Sequence, residues 1–358
     1  MRRCIQIVAA ALLVAAPPAA ARSREVLREQ SEKTVEVRGF QALEIVNSRG
    51  RVDLVPSSDA NLHVTALKIV RGCGREKAEE VARGIVVETV AQQDRYVVEV
   101  RYQKRHNIRI SFWDFFRIDG VNLPAYEVRL TCRVPRGLAV TVREGSGDIR
   151  SEGLSGAQVL RTASGDIEVV SADGPLEVSS SSGDVSATAV REAQVRSASG
   201  DIVVRQVAGP LRVSTSSGQI TVAGAEDSLA LSSASGDIRA DRAPRGLEVE
   251  SSSGDVVVRA VAGSVKVGTA SGDVQLSLRE PLRRVDASSS SGGIRLHLDR
   301  AVGCALDMRT SSGTIDVEQP MQMKNVSRRS VSGVIRGGRT PVVVHTASGD
   351  ITVVGGGE

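Results

Sequence analysis

One short phrase is repeated along most of the chain, and this repetition constrains the fold more than any other feature. The phrase is Ser-Gly, usually followed by Asp and then by Ile or Val. Its glycines recur at eleven intervals of 16 to 21 residues, most often 18. Such a period is typical of repeat architectures, in which each unit packs against its neighbours. The glycines are Gly147, Gly165, Gly183, Gly200, Gly218, Gly236, Gly254, Gly272, Gly292, Gly313, Gly333 and Gly349.

Apolar residues keep fixed distances from each glycine. Apolar residues stand two and four places after it in most repeats, such as Ile167 and Val169, and another apolar pair stands seven and five places before it, such as Leu176 and Val178. Both pairs alternate with polar residues, which predicts two half-buried strands in each repeat. Ser or Thr holds the position three places before the glycine, on the same side of the strand as the apolar residues. This hydroxyl column is Thr162, Ser180, Ser197, Thr215, Ser233, Ser251, Thr269, Ser289, Thr310, Ser330 and Thr346.

These columns predict an all-β fold, a parallel β-solenoid (β-helix) of about twelve coils of ~18 residues stacked ~4.8 Å apart. The alternative is a chain of hairpins that turn at each Ser-Gly, which would give an antiparallel meander, sandwich or barrel. We favour the solenoid because stacking of like on like explains why one residue type returns in each column. All eight aromatic residues precede residue 127, as expected if the coils are too narrow for a ring.

The predicted order of segments follows from these composition shifts. Arg2 and Arg3, an apolar run and a small-residue site resemble a secretory signal. The mature protein is therefore expected to be exported to the periplasm, the cell surface or the medium, with no transmembrane segment. The segments are 1–21 (signal peptide), 22–32 (flexible lead-in), 33–135 (β-rich cap with one helix near 75–83), 136–354 (solenoid) and 355–358 (tail), where the tail leaves the last coil lightly covered.

Charge and cysteine content narrow the functional classes. The formal charge is +4, with both signs interspersed, and this gives no electrostatic footprint for nucleic acid. In an oxidising compartment, Cys73 and Cys132 are candidates for a disulfide, and two buried free thiols are the alternative. Cys304, inside the array, is expected to be a small core residue.

Aspartate follows the glycine in eight repeats. Stacked carboxylates about 5 Å apart repel one another, and a calcium ion between coils would relieve that repulsion. Aspartate also suits a tight turn without any metal, by bonding its own backbone, and we favour this interpretation. The weak candidates for metal ligands are Asp166, Asp184, Asp201, Asp237, Asp255 and Asp273.

Four rings crowd into a short run of the cap, at Phe112, Trp113, Phe115 and Phe116. This run is a candidate contact for a protein, glycan or membrane partner. The alternative, which we favour, is a hydrophobic plug that closes the open end of the solenoid.

Catalysis has little support in the sequence. His63, His106, His297 and His345 are scattered, and they form no metal-ligand pair. No nucleophile elbow, phosphate-binding loop or dinucleotide motif is found in the required context. The chain is expected to be neither an enzyme nor a cofactor-binding protein.

The chain resembles the bacterial putative-adhesin family, a domain of unknown function. The resembling segments are the phrase at 44–52, the single helix, the stretch at 126–135 that leads into the array, and the Ser-Gly-Asp-Ile/Val units, which together cover about residues 33–354. The resemblance implies an envelope-associated or secreted β-solenoid, and it supplies no catalytic residues.

We therefore expect an exported, non-catalytic β-solenoid that acts through its repeat surface, as an adhesin or as a structural or binding protein of the envelope. Its partner, a protein or a glycan of the envelope or the exterior, is not identified by the sequence. A carbohydrate-active β-helical enzyme is the alternative, and a calcium-dependent structural rod is the third. The coils lengthened between Gly272 and Gly333 are a further place for a binding surface.

Overall fold

The structure is a computed structural model that describes residues 27–72, 74–102 and 125–355. The described residues form two compact units, unit 1 up to Gly165 and unit 2 from Asp166 onward. The signal at 1–21, Cys73 and the aromatic run at 112–116 lie outside the described residues.

Unit 1 contains eight strands and one helix among its described residues. They are β1 (Leu27–Glu36), β2 (Ala42–Pro56), β3 (Asn61–Arg71), α1 (Arg75–Arg83), β4 (Ile85–Gln92), β5 (Arg95–Tyr102), β6 (Ala125–Val134), β7 (Ala139–Glu152) and β8 (Gln158–Ser164). The predicted helix has the expected bounds, and it buries Ala78 and Ala82 against Val70 of β3.

Strand β2 lies at the centre of unit 1. It pairs in parallel with β7 on one side and with β5 and β6 on the other, and β7 also pairs in parallel with β8. Gly50 of β2 aligns with Gly147 of β7. The phrase around Gly50, read in the sequence as a degenerate early repeat, is therefore a coil of the same kind, and the parallel coils begin well before residue 136.

Antiparallel strands cover the outer coil of unit 1. Strand β4 pairs with β5, β3 pairs with β6, and β1 pairs with β3. Strand β1 starts at Leu27, so the flexible lead-in expected at 22–32 is wrong for its second half. The sequence of β1 has little apolar alternation because it is an edge strand, held by backbone pairing while most of its side chains are exposed.

Unit 2 consists of strands throughout its described residues. They are β9 (Ile167–Ser182), β10 (Val185–Ser199), β11 (Ile202–Val207), β12 (Leu211–Ser217), β13 (Ile220–Ala225), β14 (Leu229–Ser235), β15 (Ile238–Ala243), β16 (Leu247–Ser253), β17 (Val256–Ser271), β18 (Val274–Ser291), β19 (Ile294–Leu298), β20 (Cys304–Ser312), β21 (Ile315–Val317), β22 (Gln322–Ser327), β23 (Ser330–Ile335), β24 (Thr340–Ser348) and β25 (Ile351–Gly355).

Successive repeats of unit 2 stack in parallel, as the solenoid interpretation requires and the hairpin alternative does not. Ile202 aligns with Ile220, which aligns with Ile238 of the following coil. On the strand before the glycine, Leu211 aligns with Leu229 in the same way. The inward residues of these columns are almost completely buried, so the apolar core runs along the inside of the stack. The hydroxyl column is buried with them, as predicted, from Thr162 to Thr346, except for Ser330.

The coils of unit 2 do not all stack in chain order. The last coil of the sequence, β24 and β25, lies between the coil of β18 and β19 and the coil of β20 and β21. The glycine bonds follow the same order, because Gly292 N donates to Ser348 O and Gly349 N donates to Ser312 O. The coil that ends this stack is therefore not the last coil of the sequence.

The repeat phrase at Gly333 does not form a coil, so one of the twelve phrases counted in the sequence marks a different structure. Gly333 lies in β23, which pairs antiparallel with β20, and β22 pairs antiparallel with β23. This hairpin covers the edge of β20, one of the two strands of the outer coil, which would otherwise be unpaired. The expectation that the short tail leaves the last coil lightly covered is therefore wrong.

Candidate functional site: the aspartate column

The aspartates that follow the repeat glycines stack in register, each on an exposed turn between two strands. In unit 2 the position runs through Asp166, Asp184, Asp201, Gln219, Asp237, Asp255, Asp273, Gly293, Asp350 and Thr314, in the order of the coils.

Each carboxylate bonds to the next coil. Asp166 Oδ1 accepts the backbone N–H of Asp184 at 2.9 Å, and Asp184 Oδ1 accepts that of Asp201 at 2.8 Å. The same contact follows Asp255, which accepts the N–H of Asp273 at 2.9 Å. The sequence interpretation as turn residues holds only in part, because the expected bond to the aspartate's own backbone is replaced by a bond between coils.

Within the column, Gln219 and Gly293 have no carboxylate, so the series of bonds from aspartate Oδ1 to the next coil's N–H is interrupted after each of them. Gln219 and Gly293 each donate their N–H to the preceding aspartate, at 2.8 and 2.7 Å. Asp350 accepts from both the N–H and the hydroxyl of Thr314, at 2.8 Å each. These bonds lower the pKa of Asp350, the backbone bond most. The column therefore satisfies backbone donors at the turns of the stack.

Three of the aspartates, Asp166, Asp184 and Asp201, line a shallow open groove of about 420 Å³ together with Ser186 and Arg205. Among the described residues, no group of three or more His, Cys, Asp or Glu side chains is arranged to hold a metal ion. A cation placed here would compete with the N–H groups that the carboxylates already accept. The six metal-ligand candidates stay a prediction.

A buried polar cluster in unit 1 was missed in the sequence. Glu144 stands three places before Gly147, at the position that Ser or Thr holds elsewhere. In the parallel pairing of β2 and β7 it lies opposite Asn47, which stands three places before Gly50. Tyr102 Oη donates to Asn47 Oδ1 at 2.8 Å. The shared offset from glycine was the signal that places Asn47 and Glu144 inside the coils.

Glu144 is only 5% exposed, and neither carboxylate oxygen completes a hydrogen bond with a described residue. The Asn47 amide donates instead to the carbonyls of Arg49 and Val128. Burial raises the pKa of Glu144 to about 7, against the opposing influence of Asn47 and the Gly145 N–H. Burial likewise raises the pKa of Tyr102, and the carboxyl of Glu144 raises it further.

The two described cysteines, Cys132 and Cys304, are buried and are not bonded to each other. Burial, followed by the charge of Asp53, raises the pKa of the Cys132 thiol to about 12, and burial raises that of Cys304 to about 11. Both thiols are therefore protonated and poorly nucleophilic at neutral pH. Because Cys73 is not described, its pairing with Cys132 stays a prediction, as does the partner contact at Phe112, Trp113, Phe115 and Phe116.

Cross-coil ion pairs decorate the outward faces. Lys266 Nζ lies 2.8 Å from Glu248 and 3.4 Å from Glu250, and Arg245 lies 3.4 Å from Asp227 of the neighbouring coil. Most of these side chains are well exposed, so such pairs contribute little to stability.

No helix among the described residues is long and apolar enough to cross a membrane.

Stacked parallel coils with inward apolar columns and antiparallel closing strands define a β-solenoid-like repeat protein. A family model described as Toastrack DUF4097 matches residues 40–256 and 176–354. The chain belongs to this family, which agrees with the resemblance that the sequence suggested. No curated protein matches the chain.

Solved structures similar to this chain share little sequence with it. A putative cell adhesion protein from Clostridium sporogenes ATCC 15579 has 8% identity and a TM-score of 0.22, with 92% of this chain and 100% of that chain covered. A putative lipid binding protein from Parabacteroides distasonis ATCC 8503 has 11% identity and a TM-score of 0.31 (91% and 96% covered). A putative adhesin from the same organism has 9% identity and a TM-score of 0.32 (91% and 97% covered).

Proposed function

We propose that the chain is an exported, non-catalytic binding protein of the bacterial cell envelope, whose outward coil faces contact an extended protein or glycan. Residues 1–21 would act as a cleaved export signal. The coils would supply the binding surface, and the closing strands of each unit would protect its outer coil. Membership of the Toastrack DUF4097 family is compatible with this role and assigns no reaction.

One observation carries the proposal, and it concerns the outward position three places after each glycine. The inward neighbours at this strand are all apolar (Ile, Val, Leu or Ala) and buried, whereas the outward residues range from apolar to charged from coil to coil while staying in register. They are Ser186, Val203, Thr221, Arg239, Val257, Gln275 and Arg295. Because stacking does not dictate these residues, their chemistry is free to serve recognition, at one side chain per coil every ~4.8 Å.

Buried reactive groups do not favour a catalytic alternative. Burial raises the pKa values of Glu144, Tyr102, Cys132 and Cys304, and none of the four lines the open groove at Asp166, Asp184 and Asp201, where acid–base chemistry on a bound partner would require such a group. A site that reads an extended partner through side chains spaced along a flat strand needs no such group.

The first test is protease accessibility of the protein, tagged at its C-terminus, on intact cells and on cells whose outer envelope has been opened. Cleavage on intact cells supports a surface contact role. Protection in both conditions contradicts export to the envelope, and protection only until opening restricts the partner to the periplasm. Incubation with acidic and neutral polysaccharides tests the non-catalytic part, because new reducing ends or unsaturated products would refute it.

A further inference from the structure

Four large apolar side chains are highly exposed among the described residues, and they lie on two edge strands. Val86 and Val90, on β4 of unit 1, are 39% and 47% exposed, and Met323 and Val326, on β22 of unit 2, are 63% and 58% exposed. The parallel coils expose no comparable side chain in the described part of the chain. Exposed apolar residues on an edge strand are the feature that favours pairing with another strand.

Within the described residues, each strand pairs through its backbone with one neighbour and has one edge without backbone pairing, although Lys33 of β1 donates a side-chain hydrogen bond to Thr89 of β4. Strand β4 pairs with β5, and β22 pairs with β23. All six residues of β22 are exposed. A free edge leaves backbone N–H and C=O groups that an added strand would satisfy.

The charges on the two edges are opposite. On β4, Glu88 lies between Val86 and Val90 on the same face, because residues two apart in a strand share a face. On β22, Lys324 lies between Met323 and Val326, at the irregularity in the pairing with β23. Met323 and Val326 share a face because their partners on β23, Gly333 and Val331, are two residues apart, and Lys324 is the extra residue between them. In chain order the pattern is therefore apolar, acidic, apolar on β4 and apolar, basic, apolar on β22.

The surroundings of β22 strengthen its basic character. Arg328 and Arg329 form the turn that follows it. Residues 318–340 contain five basic side chains and one acidic side chain, counted from the sequence. Pairing of β22 with β22 of a second copy would therefore place like charges together, which disfavours a symmetric contact.

We propose that the protein self-associates by strand addition, with β22 of one copy pairing along the free edge of β4 of a second copy. Met323 and Val326 contact Val86 and Val90, and Lys324 lies beside Glu88. Glu88 is already 2.9 Å from Arg101, but both side chains of this pair are more than a third exposed, so it yields readily. Because the contact joins two different surfaces, it allows chains or rings of copies rather than only a dimer.

The contact is small, with six residues on β22 and eight on β4. Interfaces of this size are weak and transient unless many act together. The expected behaviour is therefore a weight-average mass that rises reversibly with concentration from the micromolar to the sub-millimolar range.

Analytical ultracentrifugation of the full mature chain tests the proposal with two edge variants. Variant A carries Met323→Lys and Val326→Lys, and variant B carries Val86→Lys and Val90→Lys. Each variant alone is expected to stay monomeric, because each lacks one side of the contact. An equimolar mixture is expected to form a dimer and nothing larger, since it retains one intact β22 and one intact β4.

A control variant carries the same two added charges on the outward face of the strand before the glycine, as Ser179→Lys and Ser232→Lys, and is expected to associate like the wild type. Thermal unfolding followed by circular dichroism verifies that all variants fold. A wild type that stays monomeric throughout the range refutes the proposal. So does either edge variant that associates alone as strongly as the wild type, which would indicate a symmetric contact or a different surface.

Discussion

The close approach of the coils at the repeat glycines makes a sharp prediction for Gly236→Ala. Gly236 has φ +150°, and an added Cβ would come closer than 3.0 Å to the carbonyl of Gly218 in the neighbouring coil. The backbone strain costs about 1–3 kcal/mol. Moving the coils apart would weaken the bonds from Gly218 N to Ser235 O and from Gly236 N to Ser253 O, at about 1 kcal/mol each. The expected loss is therefore about 3–5 kcal/mol.

Gly337→Ala is the matched control in the same unit. Gly337 has φ +65°, but an added Cβ would meet nothing within 4 Å. It should cost about 1–2 kcal/mol, from backbone conformation alone. Urea unfolding followed by circular dichroism compares the two midpoints. Equal shifts for both substitutions would refute the argument that the neighbouring coil, rather than the positive φ, makes glycine necessary at position 236.

Four further substitutions or treatments test other parts of the structure. Glu144→Gln should change the free energy of unfolding little near pH 4.5 and stabilise the protein increasingly as the pH rises to about 7, by up to about 3 kcal/mol. The reason is that the folded protein keeps the Glu144 proton up to about pH 7, whereas the unfolded chain releases it near the usual pKa of Glu. Urea midpoints that shift equally at pH 5 and pH 8 would contradict this. Asp255→Ala should cost about 1 kcal/mol by leaving the Asp273 N–H without its acceptor, whereas Asp255→Asn, which keeps an oxygen there, should cost less in the same assay. Ala260→Gly should stabilise by about 0.5–1 kcal/mol because Ala260 has φ +52°, and Gly224→Ala, at the same repeat position with φ +72°, should have the opposite effect. A chelator should leave the melting temperature unchanged, because the aspartate oxygens already accept backbone donors. A fall of many degrees would instead support the interpretation as a calcium-dependent structural rod.

The coil itself was predictable because its requirements repeat. The inward Ile202 packs beside the inward Ile220 of the next coil, and the alternation of apolar and polar residues in both strands recurs from repeat to repeat. Gly50 was recognisable for the same reason, although its coil lies far from the rest of the array in sequence.

The partners of the aspartates were not predictable, because the N–H that Asp255 accepts belongs to another coil. A turn residue that bonds its own backbone and one that bonds the next coil have the same local sequence. The buried Glu144 did not stand out in the sequence because Ser or Thr holds the position three places before the glycine from the second repeat onward, and Glu144 holds it in the first.

Coil order was hidden by the same uniformity that revealed the coil. Val285 of β18 aligns with Val342 of β24, although the chain between them contains another coil. Since every coil offers the same glycine and apolar positions, any coil fits beside any other. The repeat phrase alone therefore carries no information on neighbours, and Gly333 shows that it does not even guarantee a coil.

The antiparallel closing strands explain why the coils are not stacked in chain order in either unit. In unit 2, the coil of β20 and β21 is outermost, and the hairpin of β22 and β23 that follows it in sequence covers β20. In unit 1, β5 and β6 form the outermost coil, and β4 and β3, which precede them, cover it. A coil joined directly to its closing strand needs only a short connection when it lies outermost, so the neighbouring coil of the sequence is displaced inward. Closure moves the free edges to β22 in unit 2 and to β4 and β1 in unit 1 rather than removing them, and β22 and β4 are the strands on which the exposed apolar side chains remain.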